Sequence, residues 1–118
     1  MQQSPRHFMV RFQVFNERPS FGMGVVMLMT RIQNGHSLKS AAEDMKMAYS
    51  KAWTHFKKAE ADLGIKLISA KAGGAGGGGT VLTEAGTRFL EQYRRFESLS
   101  CEAVKAIFDE CFCADIQK

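Results

Sequence analysis

Between Tyr49 and Lys58 hydroxyl, aromatic and ammonium side chains follow one another at the spacing of a helix surface. Ser50 and Thr54 can both donate and accept hydrogen bonds, as contact with base edges requires. Lys51, Lys57 and Lys58 can neutralise phosphates. Tyr49 opens the row and His55 lies within it. A second candidate is the stretch Gly73 to Thr80, where six of the 11 glycines crowd together. It superficially resembles a phosphate-cradling loop, but Gly79 stands where such a loop needs its lysine. Val81 and Leu82 also stand where the helix should begin, so nucleotide binding is rejected. Glycines instead let a backbone approach a sugar-phosphate surface closely. Gly76 and Gly77 are the candidate contacts there, with Lys71 adding charge.

The remaining reactive side chains do not assemble into a catalytic pattern. His7, His36 and His55 are scattered, and none has a carboxylate or cysteine at a telling spacing. Glu43 and Asp44 are adjacent, so on a helix they point in different directions. Cys101, Cys111 and Cys113 are odd in number, which argues against a disulfide framework, and two of them cannot complete a zinc site alone. The reading is no catalytic residue, no cofactor, no metal site and no enzyme.

Several elements must position these residues. His7 to Phe15 alternates Phe8, Val10, Phe12 and Val14 with Met9, Arg11 and Gln13, which predicts a half-buried strand. Asn16 to Ser20 reads as a turn. Val25, Leu28, Met29 and Ile32 recur at helical intervals and Asn34-Gly35 supplies a stop, giving a first helix from Met23. Ser37 caps a short second helix whose apolar face is Leu38, Ala41, Ala42 and Met45. The paired alanines let another helix cross closely, as a helix-turn-helix requires. After Lys46 to Ala48 a third helix runs from about Tyr49 to Asp62, burying Ala52, Phe56, Ala59 and Leu63, and Gly64 ends it. Trp53, the sole tryptophan, is expected to pack between this helix and the segment that follows.

Lys66 to Lys71 and Thr80 to Leu82 then form two short strands around the glycine tip. Thr83 caps a last helix that reaches about Cys113, on the order of 45 Å. Its stripe is Phe89, Tyr93, Phe96, Leu99, Ala103, Ile107 and Cys111, widened by Val104, Phe108 and Phe112. So much apolar surface on a helix leaving a small domain needs a partner, and a second copy is the simplest one. The fold expected is mainly α with a small β component. It is a winged helix-turn-helix (1–83) with an N-terminal strand, a Gly-rich wing hairpin and a long C-terminal dimerisation helix (84–118).

The chain of 118 residues is 45% hydrophobic and 24% charged, a globular composition that excludes a disordered chain. Residues 1–95 carry 14 Lys and Arg against 7 Asp and Glu, a charge of +7, whereas residues 96–118 carry −3. A basic body suits a polyanionic partner, and the acidic tail suggests a different role. No run of 18 apolar residues and no signal-peptide core is present, so the expectation is a cytoplasmic protein with no membrane contact.

The run from Gly35 through Tyr93 resembles the N-terminal DNA-binding domain of the molybdate-dependent ModE regulators, relatives of LysR-type winged helices. Three blocks carry the likeness. They are Ser37-Leu38-Lys39-Ser40-Ala41-Ala42, Met47-Ala48-Tyr49-Ser50-Lys51-Ala52-Trp53, and Gly73 to Thr83 followed by Gly86 and Tyr93. The resemblance implies a homodimeric regulator of double-stranded DNA. Its recognition helix begins near Ala48 and contacts DNA through Tyr49, Ser50, Lys51 and Thr54. Its wing is the glycine hairpin, and its last helix pairs subunits.

Two departures are visible. His36 separates Gly35 from Ser37, and Ala48 replaces the family's serine cap, a loss of about 0.5–2 kcal/mol of helix stability. Sensory members also carry C-terminal oxyanion-binding domains, so the chain ending at Lys118 is not expected to bind molybdate. The alternative reading is a dimeric protein-interaction module of the same fold that works through a separate effector or sensor protein.

Overall fold

A computed structural model describes residues 3–71 and 79–113. Helix α1 (Met23–Gln33) buries Val25, Leu28, Met29 and Ile32, the positions its spacing selects. It stops at Asn34, and Gly35 turns the chain with φ of 108°, a region that costs glycine nothing. Helix α2 (Leu38–Asp44) starts at Ser37, whose hydroxyl accepts from the Ser40 amide at 3.0 Å. The turn after it is tight. Met47 N donates to Ala42 O at 2.8 Å, and Lys46 takes φ of 56° to allow it. Helix α3 (Tyr49–Leu63) packs against α2, and Ala41 and Ala42 of α2 and Ala52, Phe56 and Ala59 of α3 are fully buried. Small side chains at the crossing are what bring two helices of a helix-turn-helix together. Gly64, left-handed at φ of 73°, closes α3 by donating to Glu60 O at 2.8 Å.

Strands β3 (Ile68–Ala70) and β4 (Thr80–Leu82) pair antiparallel, Ile68 opposite Leu82 and Ala70 opposite Thr80. Lys71 N donates to Gly79 O at 2.8 Å and extends the hairpin one step further. The tip, with Gly76 and Gly77, lies outside the described residues. Helix α4 (Glu84–Phe108) begins at Thr83, whose Oγ1 accepts from Gly86 N at 2.8 Å and donates to Lys66 O at 2.5 Å. One hydroxyl thereby fixes the helix start to the hairpin. Leu90 and Tyr93 then enter the core beside Phe21, Leu28, Met29 and Leu67. Each such large side chain contributes about 1.5–3 kcal/mol by leaving water. Arg94 ties α4 to α1, donating to Thr30 Oγ1 at 2.7 Å and Gln33 Oε1 at 3.2 Å. Past this point the helix leaves the domain and continues as a π-helical turn (Asp109–Cys113), so the molecule measures 64 × 28 × 21 Å. Among the described residues no helix is long and apolar enough to cross a membrane.

The N-terminal strand is shorter than the alternation predicts. Only β1 (Gln13–Val14) pairs, antiparallel with β2 (Phe21–Gly22), because the returning chain turns into α1 at Met23. The alternation has another physical origin. Residues 8–12 run in extended form along α4, with the Phe8 ring 5.1 Å from Phe108 and the Phe12 ring 5.2 Å from Phe96. Tyr93 Oη donates to Phe12 O at 3.4 Å. A segment packed on a helix with one face needs the same period of two as a strand in a sheet.

Candidate nucleic-acid interface

Helix α3 presents the side chains that could meet a polyanion. Its N-cap, Ala48, has the extended conformation a cap requires but offers no side-chain acceptor. Tyr49, Ser50, Lys51, Thr54 and Lys58 are exposed, and Tyr49 keeps 51% of its surface in water. Lys57 is half-buried. Its Nζ lies 4.9 Å from the Trp53 ring centroid and 3.3 Å from Glu60 Oε1. Lys71 is exposed at the foot of the hairpin. His55 is held below the ordinary histidine range, first by partial burial and then by the charges of Lys51 and Lys58. Its imidazole is therefore neutral at pH 7, leaving the lysines as the charged groups of this face.

Acidic groups on the same helix are turned to structural use. Glu60 is buried, and its Oε2 accepts from Leu67 N at 2.8 Å and Ile68 N at 3.3 Å. That carboxylate satisfies the amides at the start of β3 and sets the hairpin against α3. On the other side, Leu38 N at the start of α2 donates to Thr80 Oγ1 at 3.1 Å. The hairpin is thus fastened to both helices of the helix-turn-helix. Asp62 latches the turn after β1 by accepting from the amides of Asn16, Glu17 and Arg18 at 2.6, 2.8 and 2.9 Å. These bonds, from Asn16 foremost and then Arg18, hold its carboxyl below the usual carboxylate range.

Sequence reasoning missed Glu60, Asp62, Lys66 and Thr80, and it misplaced Trp53. Trp53 does lie beside the hairpin, but with 46% of its surface in water it is an exposed wall rather than a packed anchor. The only advance signal for Glu60 was a carboxylate one step from buried Ala59. The apolar stripe of α4 divides in two. Tyr93 is buried against Phe21 at 5.3 Å and half-buried Phe89 meets the same ring edge to face at 4.7 Å, so both serve their own domain. Phe96, Leu99, Ala103 and Ile107 remain exposed, Leu99 at 54% and Ile107 at 57%. Among the described residues no group of three His, Cys, Asp or Glu side chains could hold a metal ion.

A helix-turn-helix, a hairpin fastened beside its second helix and a helix running out of the domain define the winged helix-turn-helix class. The solved complex of the CbnR DNA-binding domain with DNA shares this fold, with a TM-score of 0.57 and 22% identity over 74% of this chain and 94% of that one. Within the class the chain is a ModE-like winged-helix domain. It is 33% identical over 85 residues to the transcriptional regulator ModE of Haemophilus influenzae, covering 72% of this chain and 33% of that protein. It is 32% identical over 84 residues to the molybdenum-pterin-binding protein MopB of Rhodobacter capsulatus, covering 70% of this chain and 31% of that protein. The chain thus spans about a third of the length of these curated relatives. No family model matches it.

Proposed function

We propose that this chain acts as a homodimeric, sequence-specific regulator of transcription that binds double-stranded DNA. The observation that carries the reading is the exposed row Tyr49, Ser50, Lys51, Thr54 and Lys58 on α3, while Glu60 of the same helix is turned inward to the hairpin. In winged helix-turn-helix proteins the second helix enters the major groove, and the hydroxyls and lysines here suit base edges and phosphates respectively. Lys57 and Lys71 flank this row on the hairpin side. The likeness to a named transcriptional regulator and to a DNA-binding domain supports the same reading.

Dimerisation is assigned to the exposed part of α4, Phe96, Leu99, Ala103 and Ile107. Pairing two copies there sets two α3 helices to face one side of a duplex. No catalytic role is proposed for it. A second reading, a dimeric module that regulates through a separate protein partner, draws on the uncapped Ala48 and the acidic C-terminal segment. A mobility-shift titration of duplex DNA at two salt concentrations separates the two. The first reading expects binding that falls steeply with salt and weakens in Lys51→Ala. Absent binding, or binding indifferent to Lys51→Ala, favours the second.

A further inference from the structure

Between Trp53 and the foot of the hairpin lies a cleft of about 210 Å³ that the recognition row does not use. Its polar lining is Lys57, Lys66, Ser69 and Thr80, and Trp53 lines it as well. Among the described residues no carboxylate lines it. Glu60 is buried and committed to two backbone amides and to Lys57, so the cleft keeps a surplus of positive charge through Lys66. Thr80 Oγ1 accepts from Leu38 N, and its own hydrogen donates to no other group among the described residues. An oxygen that accepts from the amide at a helix start becomes a better donor outward. Trp53 contributes its ring, whose centroid lies 4.9 Å from Lys57 Nζ. Two lysines and two hydroxyl side chains lining one small opening are a donor set for a tetrahedral anion.

We propose that this cleft seats one backbone phosphate of the bound duplex, between the recognition helix and the wing. The proposal rests on the DNA-binding reading and adds Trp53, Lys66, Ser69 and Thr80 to the contact surface. The Trp53 ring holds the Lys57 ammonium by cation–π attraction, so Lys57 meets the phosphate already oriented. Lys66, exposed and outside any ion pair among the described residues, supplies the charge that the phosphate neutralises.

The test measures binding of the full chain to a mixed-sequence duplex over a range of salt concentrations. Lys66→Gln, at an exposed position, should make the slope of log affinity against log salt less negative by about 0.9, the share of one phosphate. Lys105→Gln, far along α4, should leave the slope unchanged. A neutral methylphosphonate walked along the backbone should weaken wild type at one position, and that penalty should vanish in Lys66→Gln. The sole tryptophan reports the same event, so duplex should alter Trp53 emission and Ser69→Ala should reduce the change.

A steep wild-type slope retained in Lys66→Gln overturns the phosphate seat and leaves the DNA reading standing. No salt-dependent duplex binding by wild type overturns both. If inorganic phosphate alone alters Trp53 emission and duplex does not, the cleft takes a free anion and the proposal falls.

Discussion

Single residues set how firmly α3 starts and how firmly its far end is held. Ala48 has the φ of −63° and ψ of 141° of a cap without the acceptor that would satisfy an amide of the first turn. Ala48→Ser supplies that oxygen in a backbone already shaped for it. The variant should gain about 0.5–2 kcal/mol in urea denaturation, with an unchanged m-value. At the other end, Asp62 binds three amides of the turn after β1. Its folded pKa is depressed, so below the unfolded value of about 3.9 the unfolded chain takes up a proton more readily than the folded one. The stabilisation it provides is present above that pH and is lost as pH falls through the lower folded value. Asp62→Asn should therefore lower stability at neutral pH and flatten its decline in acid, read as melting temperature against pH. A decline as steep as wild type would contradict the assignment.

Elements are joined by backbone contacts that tolerate no extra atom. At Gly86 a Cβ would stand 2.2 Å from Leu67 O, against the strand that leads into the hairpin. Helix α4 can start there only because position 86 has no side chain. Gly86→Ala should cost about 1–3 kcal/mol by overpacking, and it should speed hydrogen exchange in β3 and β4 more than in α2.

Much at this scale was legible in the sequence. Val25, Leu28, Met29 and Ile32 marked the buried face of α1, Ser37 and Thr83 marked helix starts, and Gly64 marked a helix end. These signals are local, within one turn of the residue concerned. What was illegible depends on residues far apart in the chain. Asp62 reaches the amide of Asn16, Glu60 reaches those of Leu67 and Ile68, and Thr80 reaches that of Leu38. No spacing rule announces such bonds, which is why Glu60 and Thr80 were absent from the expected interface. The N-terminal segment shows the converse. Its alternation was read as a half-buried strand, and Val10, Phe12 and Val14 are half-buried, but periodicity does not say whether the covering surface is a sheet or a helix.

For the whole molecule, α4 is shared between two roles along its length. Leu90 and Tyr93 close the core, whereas Leu99, Ala103 and Ile107 face water after Phe8 and Phe12 have covered Phe108 and Phe96 from one side. The double variant Leu99→Asp, Ile107→Asp should sediment as a monomer while its melting temperature stays near that of wild type. A collapse of the fold would show that this part of α4 belongs to the domain instead.

Selection of bound sequences from a random duplex pool tests whether paired copies aim two α3 helices at one duplex. The expected result is enrichment of an inverted repeat whose half-sites lie about 10–10.5 base pairs apart centre to centre, or a multiple of that, and loss of the repeat in the double variant. A single unrepeated motif, or no enrichment from the pool, would contradict it.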